Sequence, residues 1–285
     1  MKFLVLGCNG MAGHIISLFL KEKGHDVTGF ARSQSQFVPT ITGDATNTDL
    51  LAQTLKKGKY DTVINAIGLL NQFAENNKSM AVFLNGYLPH LLADITSNTF
   101  TQVIHMSTDC VFSGKSGGYT EESIPDGATF YDRSKALGEL NDGKNLTLRN
   151  SIVGPDIKPR GIGLLNWFMQ QAGPTVTGYT GAIWTGQTTL QLARTMEIAA
   201  KEKAYGLVNA VPNEPITKYD LLRLFNKYFR NDSLQIIPVE GICADKSLKR
   251  TNFKFSYVIP DYEKMVSELS DWMGQHKSLY PHYSL

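Results

Sequence analysis

The stretch that most limits what this chain can fold into lies at its start. Residues 2–13 read KFLVLGCNGMAG, a short apolar run followed by G-x-x-G-x-x-G at Gly7, Gly10 and Gly13. The run reads as a buried strand, and the residues from about Met11 to Lys23 read as a helix that stops at Gly24. Each glycine in such a turn has its own task. Gly7 permits the tight turn, Gly10 lets a diphosphate approach the backbone, and Gly13 lets helix pack on strand. The helix N-terminus then offers free N–H groups and a partial positive charge. A purely structural glycine turn is the plain alternative. The strand before it and the helix after it favour a dinucleotide site, with Asn9 and Met11 in the same loop.

The first half continues the alternation. DVTGFA is a second strand and YDTVINA (60–66) a third; a long helical pattern from Ser79 to Thr96 leads to a fourth, QVIHMS (102–107). The segment from Tyr131 to Leu140 reads as helix and LTLRNS (146–151) as a fifth strand. Strands alternating with helices of this length predict a parallel sheet covered on both faces. After about residue 150 the pattern loosens into the loop GPDIKPRGIG, a short helix in LLNWFMQQAG, a longer one in TTLQLARTMEIAAKEK and a strand in GLVNAV. Amphipathic helices follow at 217–229 and 260–273. The expected class is therefore α/β, a Rossmann-type doubly wound parallel sheet with a smaller C-terminal substrate-binding lobe. Residues 1–150 form the dinucleotide-binding domain, 183–210 return to it, and 151–285 are mainly the lobe.

Composition narrows the class further. A chain of 285 residues, 42% hydrophobic, can bury a large core. Its net charge is +2 and its basic residues are scattered, which argues against a nucleic-acid partner. No apolar run approaches the roughly 20 residues of a membrane span. The opening carries one lysine and runs straight into the glycine loop, so no signal peptide is expected. Cys8, Cys110 and Cys243 lack metal-ligand spacing and read as free thiols; a cytoplasmic chain without a metal is expected.

The second strand ends in GFARS, without the carboxylate that meets a ribose 2′-hydroxyl in NAD sites. Arg32 follows instead, and a guanidinium there suits a 2′-phosphate, with Ser33 as a further donor. An ordinary exposed arginine is the competing reading. NADP is the favoured cofactor, as NADPH, with NAD left open.

A reactive constellation stands between STDCVFSG (107–114) and YDRSK (131–135). Tyr131 and Lys135 are four apart and would share a helix face. That spacing alone arises by chance in a chain of this size. Beside a nicotinamide site it gains meaning, because reducing a ketone needs a hydride and a proton. A tyrosine hydroxyl can supply the proton, but its ordinary pKa is about 10, and bringing it to about 7 takes roughly 4 kcal/mol. A neighbouring ammonium acts in that direction. Thr108, at the C-terminal end of a sheet strand, lies where open α/β sheets bind ligands, and its hydroxyl can orient a substrate carbonyl.

Six motifs in order, GCNGMAG, NAIG (65–68), AENN…AVFLNGYLPHLLA (74–93), STDCVFSG, YDRSKALGE (131–139) and LRNSIVG (148–154), carry a resemblance. The chain resembles the extended short-chain dehydrogenase/reductases over essentially its whole length. Among them it is most similar to the nucleotide 4-keto-sugar reductases of the dTDP-4-dehydrorhamnose reductase kind. The resemblance implies Thr108, Tyr131 and Lys135 as the catalytic trio, with Lys135 also holding the nicotinamide ribose. It implies Asp44, next to Ala45, at the adenine edge, and Ala66 and Gly68 as backbone neighbours of the cofactor. Trp184 falls where the family places substrate-side residues, though a core tryptophan reads equally well. The implied substrate is a nucleotide-linked deoxysugar reduced at its 4-keto group for surface polysaccharide; a homodimer is common in the family.

Three departures bear on the sugar pocket. Cys110 stands where an aromatic is common, Asn150 replaces a small hydroxyl residue, and 154–184 follows the pattern least. Lys158 and Arg160 in that stretch are candidate diphosphate contacts, against a reading as solvated loop charges. Dehydratases of this fold place a glutamate at the Cys110 position, so dehydration fits poorly. A nucleotide-sugar epimerase and a non-catalytic regulatory subunit remain the rival readings.

Overall fold

The computed structural model describes residues 1–283. Its centre is a sheet of seven strands: β1 (Lys2–Leu6), β2 (Asp26–Ala31), β3 (Thr40–Thr42), β4 (Thr62–Asn65), β5 (Gln102–Met106), β6 (Leu146–Arg149) and β7 (Gly206–Asn209). They lie in the order β7-β6-β5-β4-β1-β2-β3, every neighbouring pair parallel. From β1 the chain winds outward through β2 and β3, then crosses back to β4 and winds the other way. The order therefore reverses between β1 and β4, and the crevice beyond their C-terminal ends is where such sheets bind ligands.

Both faces of the sheet are covered, which explains why its central strands are buried along nearly their whole length. In β1, Phe3 and Val5 belong to one buried cluster and Leu4 and Leu6 to another, as period-two alternation requires. The first cluster takes in helices α1 (Met11–Glu22) and, packed against it, the later helix Thr189–Glu202. The second receives Leu51 and Leu55 of α2 (Thr48–Gly58) and Leu88 and Leu92 of α3 (Leu88–Thr96).

The expected helix from Ser79 to Thr96 is interrupted. A short helix, Lys78–Ala81, runs into a π-helical segment, Val82–Tyr87, before α3 begins. The cause sits inside the segment. Asn85 is buried, and its amide accepts from Leu69 N (2.8 Å) and donates to Leu69 O (2.9 Å) and Ser134 Oγ (3.0 Å). The widened turn aims this side chain between two functional stretches, a common use of such bulges. The next helix, α4 (Phe130–Leu137), opens on a capping box between Thr129 and Asp132. It stops short of the expected Leu140. A Cβ on Gly138 would stand 1.9 Å from Asn85 O, so the chain leaves the helix where it touches the π segment.

Beyond β6 the lobe is assembled from short pairings: Ser151–Val153 with Gly186–Thr188, Thr175–Tyr179 with Gln235–Val239, and Ala182–Trp184 with Ile216–Thr217 and Ala244–Asp245. Around them pack α5 (Thr189–Glu202), α6 (Lys218–Arg230) and α7 (Tyr262–Gln275). Among the described residues no helix is long and apolar enough to cross a membrane.

Candidate functional site

The glycine loop leaves β1 at the switch point. Gly7 has φ +81°, a left-handed conformation that favours glycine, and its N–H donates to Phe30 O at 2.8 Å. A Cβ on Gly13 would lie 2.0 Å from Gly7 O, so only glycine lets α1 start this close to the turn. No side chain caps Gly10 and no acidic residue occupies the first turn of α1. Gly10 N–H donates to Gly7 O (2.9 Å), the first-turn N–H groups of α1 have no side-chain cap, and Gly10, Met11 and Ala12 line one end of a cavity of about 360 Å³. A diphosphate fits this cradle.

The adenosine-side candidates gather nearby. Asn9 Nδ2 donates to Ser33 O (3.0 Å) and Ser33 Oγ (3.2 Å), tying the glycine loop to the turn after β2. Arg32 and Ser33 are exposed there. Asp44 accepts from Thr46 N and Thr46 Oγ, and these bonds hold its pKa low, helped by the Arg32 charge. Ala45 is buried behind it, while Ala66 and Gly68, following β4, face the cavity.

Thr108, Tyr131 and Lys135 line the same cavity from β5's end and from α4. Thr108 Oγ1 accepts from Cys110 N and donates to Asp109 Oδ1, both at 3.1 Å, capping the 3-10 turn Asp109–Val111. Tyr131 is 7% exposed. Burial raises its pKa above the ordinary tyrosine value, Cys110 adds to this, and a hydrogen bond with Thr108 opposes it. Burial thus favours the protonated phenol.

Lys135 Nζ is buried at the C-terminal end of β5, donates to Met106 O (2.6 Å) and lies 3.3 Å from His105 Nε2. Burial lowers its pKa to about 8, with Glu139 acting upward. His105 is wholly buried and held neutral, first by desolvation and then by the Lys135 charge. Behind it, Asn65 Oδ1 accepts from Ile67 N (3.2 Å), which leaves the amide N–H toward His105 Nδ1 (3.2 Å). The imidazole proton then sits on Nε2, facing the lysine.

A second buried group braces the site. Arg149 donates to Glu139 through Nε (2.8 Å) and Nη2 (2.6 Å), and Ser107 Oγ donates to Glu139 Oε1 (2.6 Å). The guanidinium also lies 4.9 Å from the Phe112 ring centre, which stacks on Tyr119. His105 stood within the strand QVIHMS, and Asn65 and Asn85 within the quoted motifs NAIG and AVFLNGYLPHLLA, none of the three with an assigned role. Glu139 and Arg149 stood within recognised stretches, YDRSKALGE and LRNSIVG, without an assigned role.

Other candidates lie apart. Trp184 is buried at 3% exposure, with its ring 5.7 Å from Tyr262 and Lys218 Nζ 4.8 Å above it, and it does not line the cavity, as the core reading expects. Lys158 and Arg160 are exposed loop residues outside the cavity lining. Cys110 and Asn150 do line it. Burial pushes the Cys110 thiol up to about 12, and Asn150 Oδ1 is buried without a hydrogen-bond partner in the protein. A larger surface groove of about 800 Å³ beside α6 holds charges that pair with one another, Arg223 with Asp220 and Lys227 with Glu263, and none of the trio.

With this geometry in view, residues 1–151 match the family model described as RmlD substrate binding domain. The chain is 34% identical over 143 residues to the probable low-salt glycan biosynthesis reductase Agl14 of Haloferax volcanii, covering 49% of this chain and 48% of that protein. It is 33% identical over 159 residues to the dTDP-4-dehydrorhamnose reductase of Burkholderia thailandensis, covering 54% and 50%. Each match thus spans about half the length of the relative. The dTDP-4-dehydrorhamnose reductase of Bacillus anthracis, solved in complex with NADP, shares the fold with a TM-score of 0.78 at 18% identity, over 94% of this chain and 99% of that one.

Proposed function

The chain belongs to the RmlD substrate binding domain family, and from that premise we propose that it is an NADPH-dependent reductase of a nucleotide-linked 4-keto-deoxysugar, of the dTDP-4-dehydrorhamnose reductase type. The observation that carries this reading is the meeting of Thr108, Tyr131 and Lys135 in one cavity with the uncapped start of α1. The names of the relatives, a glycan biosynthesis reductase and a dTDP-4-dehydrorhamnose reductase, support the same class.

The cradle of Gly7, Gly10, Met11 and Gly13 holds the cofactor's diphosphate, Asn9 fixes the adjoining turn, and Arg32 with Ser33 binds the 2′-phosphate. Asp44 and Ala45 meet the adenine, and Ala66 and Gly68 flank the dinucleotide. Bound NADPH supplies the hydride. Tyr131 supplies the proton: its raised pKa keeps the phenol protonated at neutral pH, the state a donor to a developing alkoxide needs. Thr108 hydrogen-bonds the same oxygen and orients it toward Tyr131. Lys135 holds the nicotinamide ribose through the donor it has free beyond Met106 O. Cys110, with its thiol pushed up to about 12, offers no acid for dehydration. The setting is surface-polysaccharide sugar synthesis in the cytoplasm, as a homodimer.

The test is NADPH oxidation, followed by absorbance, against dTDP-, UDP- and GDP-linked 4-keto-6-deoxy sugars, beside an NADH series. Tyr131→Phe is expected to lower kcat roughly 10²–10⁴-fold with NADPH binding intact. NADPH binding without turnover of any sugar would instead favour an epimerase or a regulatory subunit.

A further inference from the structure

Two walls of the cavity come from distant parts of the chain. One is the glycine loop at the start of α1; the other is the loop 154–163, which contributes Asp156, Ile162 and Gly163. The walls touch at one end, where a Cβ on Gly163 would lie 3.0 Å from Met11 Sδ. What ties each wall down is the segment that follows α7.

Tyr280 reaches the glycine loop through His14. On α1, His14 Nδ1 lies 2.9 Å from Gly10 O, a carbonyl that can only accept, so Nδ1 carries the proton. The other nitrogen, Nε2, is then an acceptor for Tyr280 Oη at 2.8 Å. Burial keeps the imidazole neutral, with its pKa lowered to about 4, so this tautomer persists at neutral pH. Tyr283 reaches the opposite wall. Its hydroxyl donates to Asn166 Oδ1 (2.7 Å) and accepts from Asp156 N (3.0 Å). Asn166 Nδ2 in turn donates to Gly161 O (2.5 Å), so one tyrosine fixes the loop at two points. The two rings lie 5.9 Å apart, and both residues are buried.

We propose that Tyr280 and Tyr283 are positioning residues of the dinucleotide site, their hydroxyls holding the glycine loop and the loop 154–163 at a fixed separation. The proposal rests on the reading that this cavity binds NADPH. Neither tyrosine lines the cavity; both act through His14, Asp156 and Asn166. Removing a hydroxyl while keeping the ring preserves the packing and frees one wall.

The experiment uses the full chain and Tyr283→Phe, with NADPH affinity from fluorescence titration and local amide exchange by mass spectrometry. The expected result is a five- to tenfold rise in NADPH Kd, a matching rise in KM, kcat at saturation within twofold, and faster exchange across residues 156–163. A fall in Tm with Kd and local exchange unchanged means the hydroxyl serves packing alone and overturns the proposal. Should Tyr283→Phe not fold, Tyr280→Phe decides by the same readouts, with exchange rising at residues 10–14. Failure of the wild-type chain to bind NADPH removes the cofactor reading and this proposal together. Wild-type binding with unmoved variants removes this proposal alone.

Discussion

Replacing Glu139 by glutamine changes one atom and should cost the fold several kilocalories. The carboxylate is 8% exposed and its partner Arg149 2%. Oε2 accepts from Arg149 Nη2, while Oε1 accepts from both Arg149 Nε and Ser107 Oγ. In glutamine one of these positions becomes an NH₂, and either way a donor meets a donor. Arg149 is left buried and charged with one amide oxygen, Thr120 O at 3.3 Å and the face of Phe112. Breaking a buried ion pair from one side costs about 3–5 kcal/mol. At roughly 2–4 °C per kcal/mol for chains of somewhat smaller size, Tm should fall by about 6–20 °C. Urea denaturation at pH 7 gives the free energy directly. The paired replacement Glu139→Leu with Arg149→Met should recover most of the loss, since it removes both charges. A single-variant loss below about 1 kcal/mol would refute the reasoning. Activity offers a second readout. Glu139 acts upward on Lys135, so Glu139→Gln should lower the lysine's pKa and shift the basic limb of kcat/KM to lower pH. A lowered Tm with an unmoved limb would separate Glu139 from the lysine.

In the wild-type chain, kcat/KM should decline as pH rises through about 8, where Lys135 loses its charge, instead of near the ordinary 10.5. Its depressed value carries the opposite sign for stability. The unfolded chain holds that proton more tightly, so this contribution grows as pH rises from 8 toward 10.5; denaturation and activity profiles measured together check both signs. Arg32→Ala should raise NADPH Kd roughly tenfold or more, from the loss of charge-assisted hydrogen bonds worth about 1.5–3 kcal/mol, and leave NADH Kd unchanged; equal effects on both would move the 2′-phosphate elsewhere. Gly13→Ala should abolish measurable NADPH binding, because its Cβ would press within 2.0 Å of Gly7 O, and cost about 1–3 kcal/mol of stability in urea.

The sheet was legible where apolar runs are long and bounded by glycine, as at KFLVLG and YDTVINA. The short β3, Thr40–Thr42, was not, because an edge strand of three residues carries no period to read. The lobe's two- to five-residue pairings escaped for the same reason. The break in the helix before Thr96 depends on Asn85 reaching Leu69 and Ser134, contacts with no local signature. At the site, Thr108, Tyr131 and Lys135 are legible through the ordered motifs and the resemblance those motifs carry, since the Tyr131–Lys135 spacing alone arises by chance. Burial, the largest influence on Tyr131 and Lys135, has no local signature in the sequence. Nor has the burial of Trp184, for which the sequence leaves a core and a substrate-side reading equally open.

The last strand of the sheet has a consequence for synthesis. β7 pairs with β6 along Leu146–Arg149, and α5 lies against α1, so both wait for residues 189–209 to be made. A chain emerging from the ribosome at about 5–20 residues per second exposes the free edge of β6 for roughly 3–12 s after residue 151 appears. Until then the face of α1 that meets Ala193, Met196 and Ala200 is bare as well. The first 151 residues, the stretch that matches the family model, therefore lack a sheet neighbour and a helix that the complete chain supplies. Ribosome-bound intermediates of that length should be aggregation-prone and held by chaperones until β7 arrives.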